Sequence, residues 1–447
     1  MTKEVFNLKL RSYVRDNLSP TSCRGKNCNK CDSCFISAIY DSFNTLLNQN
    51  CIQIGSYPRY TAIRPMKDLD ILYILGNWNE EMHAPESIMV ELYERIDKEY
   101  KNPTKYHIKV SLQTHSVTVI FLSDHQEVFS VDIVPAYIYS KNEFNDDKYM
   151  IPEVIRRKHG KNRLEYYDLL DQEHRKMGWL NTDPKGYIEI AKRVNKDNPD
   201  FRKAVKLIKS WKNSCKNKYE HFELKSFHIE QVVTKYFQDN NEADIFDSIF
   251  DFFVELPSTI YCPKIVDRAD SSRYIDEYLS DLTADQRSKI IQARDCFLIK
   301  LENLSESDSI SDLIDACFYK RFSTVEEYLF DSSIPTLTDN KYNLSILGEV
   351  QERKGSFRKY ILNKLGLISI DRKIKFRIRK PEPKVDYFKW KVKNDNSSKE
   401  PRGEITDHRT RIDPEHTQYI GDHYVECFAI LNNVCVVKAK QNVKLKY

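Results

Sequence analysis

Gly55-Ser56, then Asp68-Leu69-Asp70-Ile71-Leu72, then Phe129-Ser130-Val131-Asp132-Ile133-Val134: taken in that order, these stretches decide how the N-terminal half of the chain folds. The two later runs are aliphatic and β-branched, the composition of strands. In a strand, side chains two apart share a face, so Asp68 and Asp70 project together while Leu69 and Ile71 point the other way. Two acids set among apolar neighbours invite a cation. Asp132 on a neighbouring strand would complete an all-oxygen site suited to Mg²⁺, a hard ion that takes one or two carboxylates plus substrate phosphates, with Mn²⁺ as the alternative. Two ions so held could activate an attacking hydroxyl and stabilise a leaving pyrophosphate in line. Gly55 allows close approach of backbone to phosphate, and the Ser56 hydroxyl can donate to it. Gln53 and Tyr57 flank this cleft, with nothing that ties either to a base.

Outward from these stretches, apolar residues at helical spacing over Val5–Val14 and Phe35–Leu47 predict two opening helices around the cysteine-rich Cys23–Cys34 segment. Strands are predicted at Cys51–Ile54, Asp70–Leu75, Ile108–Leu112, Val117–Leu122 and Val128–Val134, with a helix over Pro85–Glu99. From about Asn142 to Leu365 the pattern is mostly helical, as in Phe201–Lys212, Phe227–Phe237, Ile245–Val254, Ala284–Leu304 and Val350–Leu365. After Gly366 the period shifts to two: Ile374, Phe376 and Ile378 alternate with cations, and Phe388–Val392, Tyr424–Ile430 and Val434–Val437 follow. The expectation is an α+β chain of four parts. Residues 1–50 form a helical brace with a cysteine cluster, 51–165 a catalytic lobe, 166–371 a helical lobe and 372–447 a small β domain.

Composition narrows the function classes. Over 447 residues, 70 Lys+Arg against 66 Asp+Glu leave a net charge of +4, too little to coat a long nucleic acid. No apolar run approaches the roughly 18–20 residues that span a bilayer, and Met1 to Arg11 lack a secretory signal, so a cytoplasmic protein is expected. The 11 cysteines are then mostly reduced, and no GxxxxGK[ST] or GxGxxG motif is present.

The order Gly-Ser, DxD and lone Asp on apolar strands resembles the nucleotidyltransferase fold of the polymerase-beta type. Further on, Phe201-Arg202-Lys203-Ala204-Val205-Lys206-Leu207-Ile208-Lys209-Ser210-Trp211-Lys212 and Leu224-Lys225-Ser226-Phe227-His228-Ile229-Glu230 resemble the helical lobe of oligoadenylate synthetases and cGAS/DncV-like nucleotidyltransferases (CD-NTases). In that family a helix lysine and a nearby serine contact the donor triphosphate, and Lys209 and Ser226 match those positions. The helical wheel agrees independently: Phe201, Val205 and Ile208 form the buried stripe, Lys209 flanks it about 40° from Val205, and Lys206 lies farther round towards solvent. The resemblance implies a bilobed enzyme in which Asp68 and Asp70 hold both Mg²⁺ ions and Asp132 completes the ion at the attacking hydroxyl. Gly55, Ser56, Lys209 and Ser226 would hold the NTP, and the product would be a cyclic di- or trinucleotide.

At the C-terminus, Phe388–Asn394, Arg402-Gly403-Glu404, Gly421–Cys427 and Asn433–Val436 resemble the adenylyl/guanylyl-cyclase and SMODS C-terminal sensor domain, AGS-C. That pairing implies a bacterial second-messenger synthase of anti-phage CBASS operons, acting on an effector through its product and responding to a small ligand. Trp390, His423 and Glu426 are the candidate ligand contacts; the plainer alternative is a Trp core anchor with a solvated His/Glu edge. Cys23, Cys28, Cys31 and Cys34 could form a structural Zn²⁺ site, although the C-x4-C-x2-C-x2-C spacing is tight; an iron–sulfur cluster and reduced thiols are the alternatives. The ten cations within Arg372–Lys393 read as the solvated face of strands rather than a nucleic-acid stripe. Two other functions stay open at this point: a nucleotidyltransferase making a linear or protein-attached product, and a non-catalytic nucleotide-binding scaffold.

Overall fold

The computed structural model describes every residue except 1, 22–30, 80–83, 155–177, 263, 322–325, 352–358, 407–411 and 447. Its first sheet sets β1 (Cys51–Ile54), β2 (Asp68–Asn77), β5 (Gln126–Lys141), β4 (Val117–Ser123) and β3 (His107–Leu112) side by side in that order. β2 and β5 are parallel; the other neighbours are antiparallel. β6 (Asp147–Pro152) continues from the second half of β5, and β7 (Trp179–Thr182) pairs with β6. These two strands lie in the stretch expected to be mostly helical, where each is too short to show a period of its own.

Alternation along β2 and β5 sends Leu69, Ile71, Val131 and Ile133 to one face. There they pack against Ile36, Ile39 and Phe43 of α2 (Asp32–Leu46) and Met89, Leu92 and Ile96 of α3 (Pro85–Glu99). Each fully buried side chain of this size contributes about 1.5–3 kcal/mol. The opposite face is left for the carboxylates.

The helical lobe holds α4 (Pro184–Asp197), α5 (Phe201–Lys218), α6 (Ser226–Asp239), α7 (Ile245–Tyr261) and α8 (Ala284–Glu302). Phe201, Ala204, Val205, Ile208, Trp211 and Cys215 make the buried stripe of α5 at helical spacing. Trp211 meets Phe253 edge-on at 4.7 Å, and Phe253 stacks on Phe297 at 3.9 Å. The two opening helices serve different lobes: α1 (Lys3–Tyr13) sends Phe6 and Leu10 into the helical core, whereas α2 covers the sheet. Lys206, expected to lean towards solvent, is buried and donates to Ser19 Oγ at 3.0 Å, because the chain after α1 crosses over it.

The C-terminal part is a two-layer β sandwich. One sheet runs β14 (Ile412–His416), β11 (Lys373–Ile378), β8 (Ile346–Gln351), β9 (Lys359–Ile361), and the other β10 (Leu367–Ser369), β16 (Val434–Lys446), β15 (Gly421–Leu431), β12 (Tyr387–Lys393), β13 (Ile405–Thr406). Val350–Leu365, expected as a helix, supplies the end of β8, then β9 and a single helical turn at Leu362–Leu365; Val350 alternates with β11 neighbours instead of following a 3.6 period. The cations of this part divide. Lys373 and Lys375 are exposed as expected, but Lys389, Lys391 and Lys393 are buried: the segment around Glu326–Phe330 covers Lys391, and Lys393 donates to Asn396 Oδ1 and the Pro401 carbonyl. Lys391 Nζ is 3.3 Å from Glu326 and lies over the Tyr328 ring at 4.3 Å.

That segment joins the sandwich to the helical lobe. The Phe330 N–H donates to Glu302 Oε1 at 3.1 Å at the end of α8, and Lys438 donates to the Glu302 carbonyl and Asn303 Oδ1. Burial raises the Glu302 carboxyl to about pKa 7, against the pull of Lys438 and the Phe330 N–H. A carboxyl raised in the folded state weakens folding as pH climbs from its unfolded value towards 7. Glu302→Gln is therefore expected to raise the thermal midpoint over wild type more at pH 8 than at pH 5. An equal gain at both pH values would show that Glu302 is not the titrating group.

Candidate active site

The parallel register of β2 and β5 sets Asp70 directly beside Asp132, and Asp68 beside Ser130. Asp132 is held from β4 and the residue before it: Ser116 Oγ donates to its Oδ1 at 3.1 Å, and the Thr118 hydroxyl makes a second, shorter bond to the same oxygen. Burial pushes the Asp70 carboxyl up to about pKa 7, and the charges of Asp68 and Asp132 add to this, while Arg59 and Lys209 oppose it. Two other acids crowd this half-buried carboxylate, while Arg59 and Lys209 are themselves bonded to Glu230.

Gly55 follows β1 at φ +76°, where a Cβ would come within 1.8 Å of Asp70 Oδ2. No side chain fits there without moving the carboxylate. Gly55→Ala is expected to cut turnover by at least about 10²-fold, the usual penalty for displacing a reacting group by an ångström. Its circular dichroism should match wild type, and full activity would show that Asp70 can shift at no cost.

The facing wall comes from the helical lobe. Ser56, Arg59, Thr61, Lys67, Asp68 and Asp70 on one side and Lys209, Lys212, Asn213, Lys216, Ser226 and Phe227 on the other line a cavity of about 420 Å³. Gln53 pairs with Ile71 inside the sheet, and neither it nor Tyr57 lines this space. Lys209 is buried, with Nζ 2.9 Å from Glu230 Oε2 and 3.3 Å from both oxygens of Thr61. Arg59 makes a very short bond to the other Glu230 oxygen and lies 5.3 Å over the Phe227 ring. Lys212 donates to Ser226 Oγ at 3.0 Å, and burial lowers its pKa to about 8.

The sequence thus located both walls but missed part of them. Lys212 and Lys216 stand three and seven residues beyond Lys209 on the same face of α5, so the wheel that selected Lys209 holds their signal too. Arg59 and Glu230 have no local signal, since their pairing spans most of the two lobes.

Among the described residues, no three His, Cys, Asp or Glu side chains already converge on one point. The donor chemistry nevertheless fits a hard divalent cation: three carboxylates on adjoining strands, one of them pushed up in pKa with the other two adding to the shift. Cys31 caps α2, and the Cys34 N–H meets its Sγ at 3.4 Å, whereas Cys23 and Cys28 lie outside the described residues. The structure does not bring the three sensor candidates together. Trp390 is fully buried in the sandwich core opposite Cys427, His423 lines a cavity on that same side of the sheet, and Glu426 points to the other face. No helix among the described residues is long and apolar enough to cross a membrane.

A mixed sheet with paired carboxylates facing a lysine-bearing helical wall defines a nucleotidyltransferase-type bilobed fold. Comparison with known proteins agrees. Residues 323–446 match the family model described as Adenylyl/Guanylyl and SMODS C-terminal sensor domain. A probable cyclic nucleotide synthase of Bacillus cereus (strain VD146) is 26% identical over 212 residues, 42% of this chain and 56% of that protein. The cyclic AMP-AMP-AMP synthase of Escherichia coli (strain MS 115-1) is 28% identical over 221 residues, 48% of this chain and 59% of that protein. The chain therefore spans little more than half the length of these curated relatives. Among solved structures, E. coli MS115-1 CdnC with ATP aligns at 18% identity and a TM-score of 0.47, covering 69% of this chain and 94% of that one. E. coli DncV with 3′-deoxy GTP aligns at 13% and 0.43, covering 59% and 67%. Residues 323–446 thus match the AGS-C sensor-domain family, and a little under half of the chain is similar to cyclic nucleotide synthases.

Proposed function

We propose that this protein joins nucleoside triphosphates into a cyclic di- or trinucleotide with release of pyrophosphate, and that the product is a second messenger acting on an effector in anti-phage CBASS signalling. The observation that carries the reading is that Asp70, in register beside Asp132, lines with Asp68 a cavity whose other wall presents Lys209, Lys212 and Ser226. Curated relatives named as cyclic nucleotide synthases support the chemistry.

In this reading Gly55 and Ser56 receive the donor phosphates, and Lys209 and Lys212 place positive charge where the triphosphate lies. Ser226 orients Lys212 through the hydroxyl it already shares with that ammonium. Asp132, fixed by Ser116 and Thr118, faces the acceptor hydroxyl, and Phe227 and Arg59 close the floor against water. Mg²⁺ held by Asp68, Asp70 and Asp132 would supply Lewis-acid activation of the hydroxyl and neutralise charge on the departing pyrophosphate, and Mn²⁺ is the alternative ion.

The test incubates the protein with Mg²⁺ and all four labelled NTPs, removes terminal phosphates with phosphatase, and identifies surviving species by mass spectrometry. A phosphatase-resistant oligonucleotide without terminal phosphate is expected. Pyrophosphate released with only phosphatase-sensitive or protein-attached label would overturn the cyclic product in favour of linear or protein-directed transfer. Nucleotide binding without pyrophosphate would leave the scaffold.

A further inference from the structure

The sandwich contains a second cavity, of about 80 Å³, between its two sheets. On the same measure one water needs only about 10–15 Å³. Its floor is the apolar core itself, with Ile374 and Phe376 from one sheet and Val392, Val425 and Val443 from the other. His423 lines it and is only 7% exposed.

The imidazole is held in one orientation. Its Nδ1 accepts the Asp395 N–H at 3.1 Å, so in the neutral ring the proton sits on Nε2. The Asp395 carboxylate in turn accepts the Asp422 N–H at 3.1 Å and the Ser397 hydroxyl at 2.6 Å. Gly421 permits this approach, since a Cβ there would come 2.7 Å from Asp395 Cβ. Burial lowers the His423 pKa, against the Tyr419 carbonyl and the two aspartates, which keeps the ring neutral. Nε2 is buried and makes no hydrogen bond of ordinary geometry, the nearby Tyr419 carbonyl included. A buried donor left unmade costs about 1–3 kcal/mol.

The mouth sets the charge of what can enter. Among the described residues, Glu400 and Glu415 stand there with one cation, Arg402, whose guanidinium already holds Glu415 at 2.8 Å. From these residues a phosphate would meet more negative charge than positive. We propose that this cavity binds an uncharged flat heterocycle of the nucleobase or nucleoside class, its ring seated on the apolar floor and one of its acceptors taking the His423 Nε2–H. The mouth is also joined to the helical lobe: the Gly403 carbonyl accepts the Glu327 N–H at 3.0 Å, and Glu327 accepts the Ile405 N–H at 2.8 Å. Occupancy therefore bears on the segment that reaches Glu302 on α8. The inference rests on the sensor reading of residues 323–446, not on the chemistry of the catalytic cleft.

The test uses the full chain and titration calorimetry with adenosine, guanosine, cytidine and uridine and their 5′-monophosphates, each with a non-hydrolysable ATP analogue at saturation so that the cleft is filled. At least one nucleoside is expected to bind, its monophosphate at least about 10-fold more weakly. His423→Phe should weaken that nucleoside by at least about 10-fold while leaving affinity for the ATP analogue unchanged. Val443→Phe, which fills the floor, should do the same, so a misfolded variant leaves the other to decide. No nucleoside binding at millimolar concentration, equal binding of the monophosphate, or binding indifferent to both substitutions would each overturn the proposal. Because no turnover is measured, these outcomes are separate from failure of the cyclic-product reading.

Discussion

Asp68→Asn together with Asp70→Asn is expected to reduce product formation by at least about 10³-fold without lowering the thermal midpoint of the metal-free protein. The two halves of this expectation have one cause. Asp70 is half-buried, with Asp68 and Asp132 for neighbours, and its carboxyl is pushed up to about pKa 7. Without a cation, three carboxylates at this wall repel one another, so removing two charges relieves strain in the fold while removing the groups that would hold the ion. The asparagines keep the size and hydrogen-bonding reach of the side chains they replace. Product assay by mass spectrometry and thermal melting with and without Mg²⁺ measure both effects. Wild-type product yield would refute the metal role of these acids. A large fall in the metal-free midpoint would instead show that their charges support the fold. Mg²⁺ should raise the midpoint of wild type and not that of the double variant.

How much of this was legible beforehand depends on where the information lies along the chain. Asp68, Asp70 and Asp132 sit in short apolar runs whose period of two is local, and the observed register Asp70 beside Asp132 follows from two such strands being neighbours. The sequence reads Gly55 as a glycine that could approach phosphate; that its missing Cβ makes room for the Asp70 carboxylate is visible only in three dimensions. Lys206 and the lysines of β12 show the opposite limit. Lys389, Lys391 and Lys393 alternate with Phe388, Trp390 and Val392 as a solvated face would, but all three are buried, Lys391 under Glu326 and Tyr328 from an earlier segment and Lys393 against Asn396 and Pro401. Burial of a lysine is decided by what packs over it, and alternation carries no trace of that. The strands β6 and β7 were hidden for a related reason, since they are edge additions, β6 pairing with β5 and β7 with β6, and not set by any pattern of their own.

Glu230 gives the second large effect. It is completely buried, and it receives Lys209 at 2.9 Å, Arg59 through a very short bond and the Thr61 hydroxyl at 2.8 Å. Burial alone would raise its pKa, but the charges of Arg59 and Lys209 and their hydrogen bonds bring it down to about 2. A depressed carboxyl contributes stability that is present above its unfolded value, near 4.5, and is lost as pH falls towards 2. Glu230→Ala leaves two buried cations without their anion and is expected to cost about 3–5 kcal/mol in denaturant unfolding at pH 7. Because Arg59 comes from the catalytic lobe and Lys209 and Glu230 from the helical lobe, the same change loosens the cleft at its floor, and turnover should fall with it. Pairing Glu230→Gln with Lys209→Met separates the two consequences. Removing one cation along with the anion should restore much of the lost stability relative to Glu230→Ala, while activity stays low, since the triphosphate then lacks the Lys209 charge. Recovery of activity in that double variant would show that Lys209 serves only to neutralise Glu230, and would leave Lys212, already bonded to Ser226, as the cation that meets the nucleotide.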